Sequence, residues 1–261
     1  MTHPAYGVLR PVTPLASVLL ARNPSPMTLD GTNTWVLRAP GEAGCVVVDP
    51  GEAGDEEHLR RVADHGPVAL VLLTHRHHDH AGGARRLAEL TGAPVRALDP
   101  SLVLGSEALG DGDTVAAAGV ELRVVGTPGH TSDSLSFLLS GPDADPAVLT
   151  GDTILGRGTT VIAHPDGALG PYLARCGGSP RWRRAPRCSR GTARSWRTRR
   201  PSRRTTSRTA SSASTVRAAL ATLGPDASAR AVVELVYADV DPVLWPAAEL
   251  SVLAQLEYLR G

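Results

Sequence analysis

Leu73-Thr74-His75-Arg76-His77-His78-Asp79-His80-Ala81-Gly82-Gly83 is the stretch on which the reading of this chain turns. It places His75, His77, Asp79 and His80 within six positions. Three imidazoles and a carboxylate this close are not packing residues, because burying so many polar groups without partners is costly. Neutral imidazole nitrogen and carboxylate oxygen are the donors that Zn²⁺ prefers, with Fe or Mn as alternatives. Ahead of the cluster, Val68 to Leu73 is apolar and β-branched and reads as a short buried strand. Behind it, Ala84 to Leu90 reads as a helix. The donors therefore sit on a loop leaving a strand end, where side chains can converge on one point.

Two further donors follow at a distance. His130 lies in Gly126-Thr127-Pro128-Gly129-His130-Thr131, a turn after the strand-like Val120 to Val125. Asp152 lies in Leu149-Thr150-Gly151-Asp152-Thr153, again at the end of an apolar run. A His or Asp in a Gly-rich turn is by itself usually just solvated. Two of them at strand ends, downstream of the histidine cluster, support one another.

His-x-His-x-Asp-His, then a distant His, then an Asp resembles the signature of the metallo-β-lactamase superfamily, and residues 16 to 175 resemble it throughout. The resemblance implies an α/β (α+β) fold, the αββα four-layer sandwich, with two mixed sheets face to face, helices outside and metals at one edge. In two-metal members, His75, His77 and His130 would hold the first metal. Asp79 and His80 would hold the second, and Asp152 would bridge them. Asn23 to Thr34 and Tyr237 to Leu256 resemble the branch containing β-lactamase-like protein 2, whose C-terminal domain is small and winged-helix-like.

With 261 residues, 42% of them apolar, the chain suits one main domain and a small appendage around a sizeable core. No apolar run approaches a membrane span. Met1 to Pro14 lacks a basic region followed by an apolar stretch, so no secretory signal is read there. Three cysteines give no disulfide framework, and a cytoplasmic setting is expected by default. All 27 basic residues are arginine. Lysine codons are A-rich, so their absence suggests a G+C-rich bacterial gene.

The net charge of +1 hides an uneven distribution. Residues 176 to 211 hold twelve arginines, no acid and no Leu, Val or Ile, and the rest of the chain is strongly acidic. Such a stretch supplies no amphipathic face of either period. The chain is expected to divide into a hydrolase domain (1–175), an Arg-rich, disordered segment (176–213) and a winged-helix-like domain (214–261). A basic nucleic-acid-binding arm and an inert linker are two readings of the middle segment. A third, favoured here, is translation in the wrong frame. Ser189 to Ser195 can be encoded TCC CGG GGC ACG GCC CGG AGC. Two bases later the same bases read Pro-Gly-His-Gly-Pro-Glu, which resembles the motif carrying the family's last metal-binding histidine. Thr206 to Ser211 can be ACC TCG CGC ACC GCG AGC, and the same offset gives Leu-Ala-His-Arg-Glu, a sequence common in the branch's following helix. Thr192 then overlaps the codon of the missing histidine. One Zn²⁺ site stays complete while a second is one ligand short. His164 is a stand-in, expected instead in a loop over the site.

Such a centre hydrolyses bonds with a metal-bound hydroxide. Asp79 is the candidate catalytic residue, orienting the nucleophile and accepting its proton. The expected substrate is a small molecule with an ester, thioester or lactam-like bond. Alternatives are RNA phosphodiester cleavage and a catalytically impaired remnant. Thr74 and Thr131 are candidates to hold ligand orientation through their hydroxyls. In the tail, Val216 to Leu223 and Ala247 to Leu259 read as helices, the second with Leu250, Leu253, Leu256 and Leu259 as core. Arg217, Arg230 and Arg260 face six acids there, so nucleic acid is possible but not favoured as a partner. No membrane association is expected.

Overall fold

The computed structural model describes residues 3–157, 159–176 and 214–260. The Arg-rich stretch, including Thr192, lies outside the described residues. Two compact units are distinguished. One runs through Gly126 and includes Leu135–Gly151; the other contains Thr127–Ser134 and the described residues from Asp152 onward.

The first unit contains both sheets. Strands β1 (Arg10–Thr13), β2 (Ala16–Leu20), β3 (Asn33–Leu37), β4 (Cys45–Val48), β5 (Val68–Leu72) and β6 (Val95–Arg96) form a six-stranded sheet in that order. Its first four strands pair antiparallel. β4, β5 and β6 are parallel, joined by crossovers carrying helix α1 (Glu56–Ala63), then the single turn α2 (His78–Ala81) and helix α3 (Ala84–Thr91). Parallel pairing needs such long connections. Strands β7 (Thr114–Ala117), β8 (Val120–Gly126), β9 (Leu135–Ser140) and β10 (Ala147–Leu149) form the second sheet, ordered β10-β9-β8-β7.

The second sheet departs from the expectation of two mixed sheets, every strand pair among its described residues being antiparallel. Its first hairpin has a local cause. Ala118 and Gly119 alone join β7 to β8, both with left-handed backbone, φ +49° and +69°. A two-residue turn with both φ positive matches the twist of an antiparallel hairpin and leaves no room for a crossover.

Burial follows the strand period. Val46 and Val48 of β4 face one way, with Leu72, and share a buried cluster with Leu122, Val124, Phe137 and Leu139 of the second sheet. Cys45 and Val47 face the other way and pack with Leu59 and Val62 of α1 and Leu87 of α3. A central strand buried on both faces reads as a continuous apolar run, which is why Val68 to Leu73 is recognisable as β5. Asp55 caps α1 by accepting from the His58 backbone N–H at 2.9 Å. Arg86 of α3 holds Glu56 of α1 with two hydrogen bonds of 2.9 Å, pulling that carboxyl down to about 2.

In the second unit the described elements after Asp152 are helical: α4 (Leu169–Cys176), α5 (214–223), α6 (Ala229–Val236) and α7 (Trp245–Arg260). One cluster joins Ile162, Leu169 and Tyr172 to Ala254. Another joins Val216, Ala219, Val232, Val233, Val252 and Leu256. The four-leucine face expected of α7 is corrected here. Leu253 is 38% exposed, Leu250 and Leu259 are half-buried, and of the four Leu256 alone is buried. A spacing of three falls about 60° short of a full turn at each step, so such a row walks off the packed face. Val252 and Leu256, four apart, keep to it.

Candidate metal centre

The site begins at the ends of β4 and β5. Parallel pairing brings Asp49, just past β4, beside Thr74, just past β5. Its carboxylate accepts from the Thr74 backbone N–H at 2.8 Å, the Thr74 hydroxyl at 2.8 Å and His80 Nδ1 at 2.9 Å. Asp49 is 2% exposed and left-handed, φ +55°. Thr34 holds that backbone by donating to the Asp49 carbonyl at 2.7 Å, and buried His58 stands behind it, Nε2 2.8 Å from the Thr34 hydroxyl. With the hydroxyl proton committed to the carbonyl, His58 Nε2 is the donor. Asp49 escapes the sequence reading, although its setting, an Asp closing an apolar strand before Pro50-Gly51, matches the signal that marked Asp152.

Thr74 also faces His75, its hydroxyl 3.0 Å from Nδ1. The other nitrogen of His75, Nε2, stands 3.1 Å from His77 Nδ1. The turn α2 supplies Asp79 and His80. Asp79 Oδ2 accepts from the Thr32 hydroxyl at 2.7 Å and lies 3.2 Å from His80 Nε2. Thr32 is itself fixed by Asn23, whose side-chain oxygen accepts its backbone N–H at 2.9 Å. Thus the segment from Asn23 positions Asp79. Burial pushes the Asp79 carboxyl up, but His80 and Thr32 outweigh it and hold the group well below the usual carboxylate range.

Different neighbours hold the distal pair. His130 Nδ1 lies 2.6 Å from the Val161 carbonyl oxygen and 3.3 Å from the Thr160 hydroxyl. Donation to the carbonyl assigns the proton to Nδ1 and puts the lone pair that a cation would need on Nε2. That Nε2 is 3.8 Å from Asp152 Oδ2. Asp152 sits in a 3₁₀ turn, Gly151–Thr153, and its carbonyl accepts from the Thr160 hydroxyl at 2.6 Å. Thr160 therefore touches both residues. The Thr131 hydroxyl, expected to hold ligand orientation, pairs instead with Ser134 at 2.7 Å, and the groups that meet His130 Nδ1 are Thr160 and Val161. Of the two threonines singled out in the sequence, Thr74 has the expected contact.

Two sets of ligand atoms lie within 4.8 Å of one another: those of His75, His77 and His130, and those of His75, His80 and Asp152. Asp79 and His164 belong to neither set. His164 Nε2 lies 3.5 Å from Glu257. Nitrogen lone pairs and an anionic oxygen aimed into one small volume are a donor set for a divalent cation, and the residues present fit one.

Comparison with known proteins agrees. Residues 27–219 match the family model of the metallo-β-lactamase superfamily, and residues 228–260 that of the β-lactamase-associated winged helix domain. A hydroxyacylglutathione hydrolase of Pseudomonas putida is 36% identical over 149 residues, covering 56% of this chain and 57% of the relative. An atrochrysone carboxyl ACP thioesterase of Aspergillus fumigatus is 37% identical over 160 residues, covering 58% and 49%. The chain spans about half the length of these curated relatives. The crystal structure of a β-lactamase domain protein from Burkholderia ambifaria superposes with a TM-score of 0.74 at 24% identity, covering 99% of this chain and 89% of that one. Among the described residues no helix is long and apolar enough to cross a membrane. The chain belongs to the metallo-β-lactamase superfamily and carries that family's sandwich fold with a C-terminal winged-helix domain.

Proposed function

We propose that this protein is a zinc-dependent hydrolase of small-molecule thioesters, with its chemistry in residues 1–175. The observation that carries the reading is the convergence of ligand atoms from His75, His77 and His130, and from His75, His80 and Asp152. The two curated relatives described above, by name a hydroxyacylglutathione hydrolase and an ACP thioesterase, support the thioester over an ester or lactam.

His75, His77 and His130 would hold one cation. His80 and Asp79 would hold a second, with Asp152 shared between them. Zn²⁺ suits this set best, with Fe or Mn as alternatives. A cation bound there supplies Lewis acidity, lowering the pKa of a water and polarising the scissile carbonyl. The chain's own residues do the rest. Asp49, through Thr74 and His80, keeps two of the imidazoles in place. The Asp79 carboxylate, held by the Thr32 hydroxyl at 2.7 Å, would accept a hydrogen bond from the attacking water and so orient it.

The Arg-rich stretch favours a second reading, that activity in this chain is impaired. We infer that residues 176–213 are out of frame, which removes one ligand of the second cation. Sequencing the gene across codons 170–220 tests this, and an unbroken frame with A-rich or T-rich codons at 189–195 and 206–211 refutes it. RNA cleavage has less support. The tail's Arg230 is engaged by Glu234 at 2.8 Å and Glu249 at 3.0 Å, and an acidic surface repels phosphate.

The deciding experiment assays metal-stripped and zinc-reloaded protein against an acyl-glutathione thioester and a single-stranded RNA, with bound metal counted. Zinc-dependent thioester cleavage is expected. Cleavage of RNA alone overturns the reading.

A further inference from the structure

We propose that the C-terminal helix α7 positions the candidate ligand His130 through Ser251, so that the appended domain is part of the metal centre's support. The inference rests on the reading of His130 as a ligand.

The connection runs through one peptide group. The Val161 carbonyl oxygen is 2.6 Å from His130 Nδ1, and the Ile162 backbone N–H donates to Ser251 Oγ at 3.0 Å. Carbonyl and N–H are opposite ends of a single planar amide, which turns as one body. Ser251, 89 residues along the chain from Ile162, thereby fixes the rotation of the plane whose other end holds the imidazole. Hydrogen bonds at both ends also polarise the amide in the same sense, strengthening each.

Packing around this amide tightens the arrangement. Ile162 is buried with Leu169, Tyr172 and Ala254, the last on α7 one turn beyond Ser251. The Ala163 N–H donates to the His130 carbonyl at 3.0 Å, and the Ala168 N–H to the Gly129 carbonyl at 2.9 Å. The Tyr172 hydroxyl donates at 3.2 Å to the carbonyl of Thr153, next to Asp152. Gly129 is packed so closely on Tyr172 that an added Cβ would lie 2.5 Å from the tyrosine Cβ. Without Ser251 the amide loses the one hydrogen bond at its N–H end, and the Val161 oxygen holds Nδ1, and with it the ring's direction, less firmly. Ser251 is a positioning residue in this scheme and touches no substrate.

The test uses the full chain with Ser251→Ala, Ser251→Thr and His130→Ala. Zn²⁺ affinity is measured by competition with a chelator, the absorption spectrum of the Co²⁺-loaded protein is recorded, and the melting temperature is taken without metal. Ser251→Ala is expected to weaken Zn²⁺ binding roughly tenfold, the low end for groups that orient a ligand, and to alter the Co²⁺ spectrum. Ser251→Thr, which keeps the acceptor, restores both. A Ser251→Ala protein that melts earlier but binds Zn²⁺ and Co²⁺ like the parent has lost only packing, and the inference is overturned. Should Ser251→Ala not fold, Ser251→Cys, of similar size but a weak acceptor, carries the same comparison. If His130→Ala binds metal as the parent does, the ligand assignment itself is wrong; if it binds weakly while Ser251→Ala is unchanged, only the role of Ser251 falls.

Discussion

The two regions that carry the candidate metal ligands are built in opposite ways. His75, His77, Asp79 and His80 come from one short loop. Their support is close at hand: Thr74 is the neighbouring residue, and Asp49 ends the adjacent parallel strand. His130 and Asp152 each stand alone in a turn and take their orientation from Thr160, Val161 and, one bond further on, a helix near the chain's end. A clustered motif can be held by the strand pair that presents it, whereas isolated donors must borrow rigidity from remote chain.

The largest effect that tests this contrast is loss of a donor from either side. His75→Ala and His130→Ala are each expected to lower thioester hydrolysis by at least about a hundredfold, with bound metal falling in parallel. A large loss for one and none for the other would mean that the two regions do not serve one centre. Hydrolysis rates and metal content read it directly.

Next comes the anchor of the front loop. Asp49→Ala strands a buried backbone N–H and the Nδ1 of His80, and should cost about 2–3 kcal/mol of folding free energy in denaturant titration. Asp49→Asn tolerates the left-handed backbone and keeps an acceptor, so it should recover part of the loss. Equal stability of Asp49→Ala and parent would show that the loop holds itself.

On the distal side, Thr160→Val removes the one hydroxyl that touches both His130 and the Asp152 carbonyl. About 1 kcal/mol of stability should go with it, together with metal affinity. If affinity holds while stability falls, Val161 and Ser251 suffice to orient the ring.

The smallest effect concerns the residue behind Asp49. Burial holds the His58 pKa below its ordinary 6.5, with Arg61 adding to the shift and Asp55 opposing it. Below that ordinary value the unfolded chain binds a proton that the folded chain refuses. Stability therefore falls as pH drops through 6.5 toward the lowered folded value, then levels off. His58→Gln should flatten this dependence between about pH 7.5 and about pH 5.5, as followed by denaturant unfolding at each pH. An unchanged slope would place the titration elsewhere, for example at His65, which burial also pushes down.

Much of the sandwich was legible locally. β5, β8 and α3 fall within a residue or two of the segments that periodicity marks. The hairpin at Ala118-Gly119 was not, because an alanine with positive φ gives no signal in composition. Nor was the packed face of α7, where four leucines three apart outnumber the valine and leucine that are buried. Asp49, Thr160 and Ser251 passed unnoticed for a different reason. Each is a common residue in an ordinary turn or helix, and its importance comes only from what lies opposite.

What the sequence by itself determined is the kind of chemistry and the side chains able to carry it: a dense group of imidazoles and carboxylates after a buried strand has few uses other than gripping a cation. Folding decided which nitrogen of each ring faces inward and which threonine, carboxylate or serine keeps it there. Those choices depend on hydrogen bonds between segments far apart in the chain, and a bond of that kind leaves no period or spacing to read.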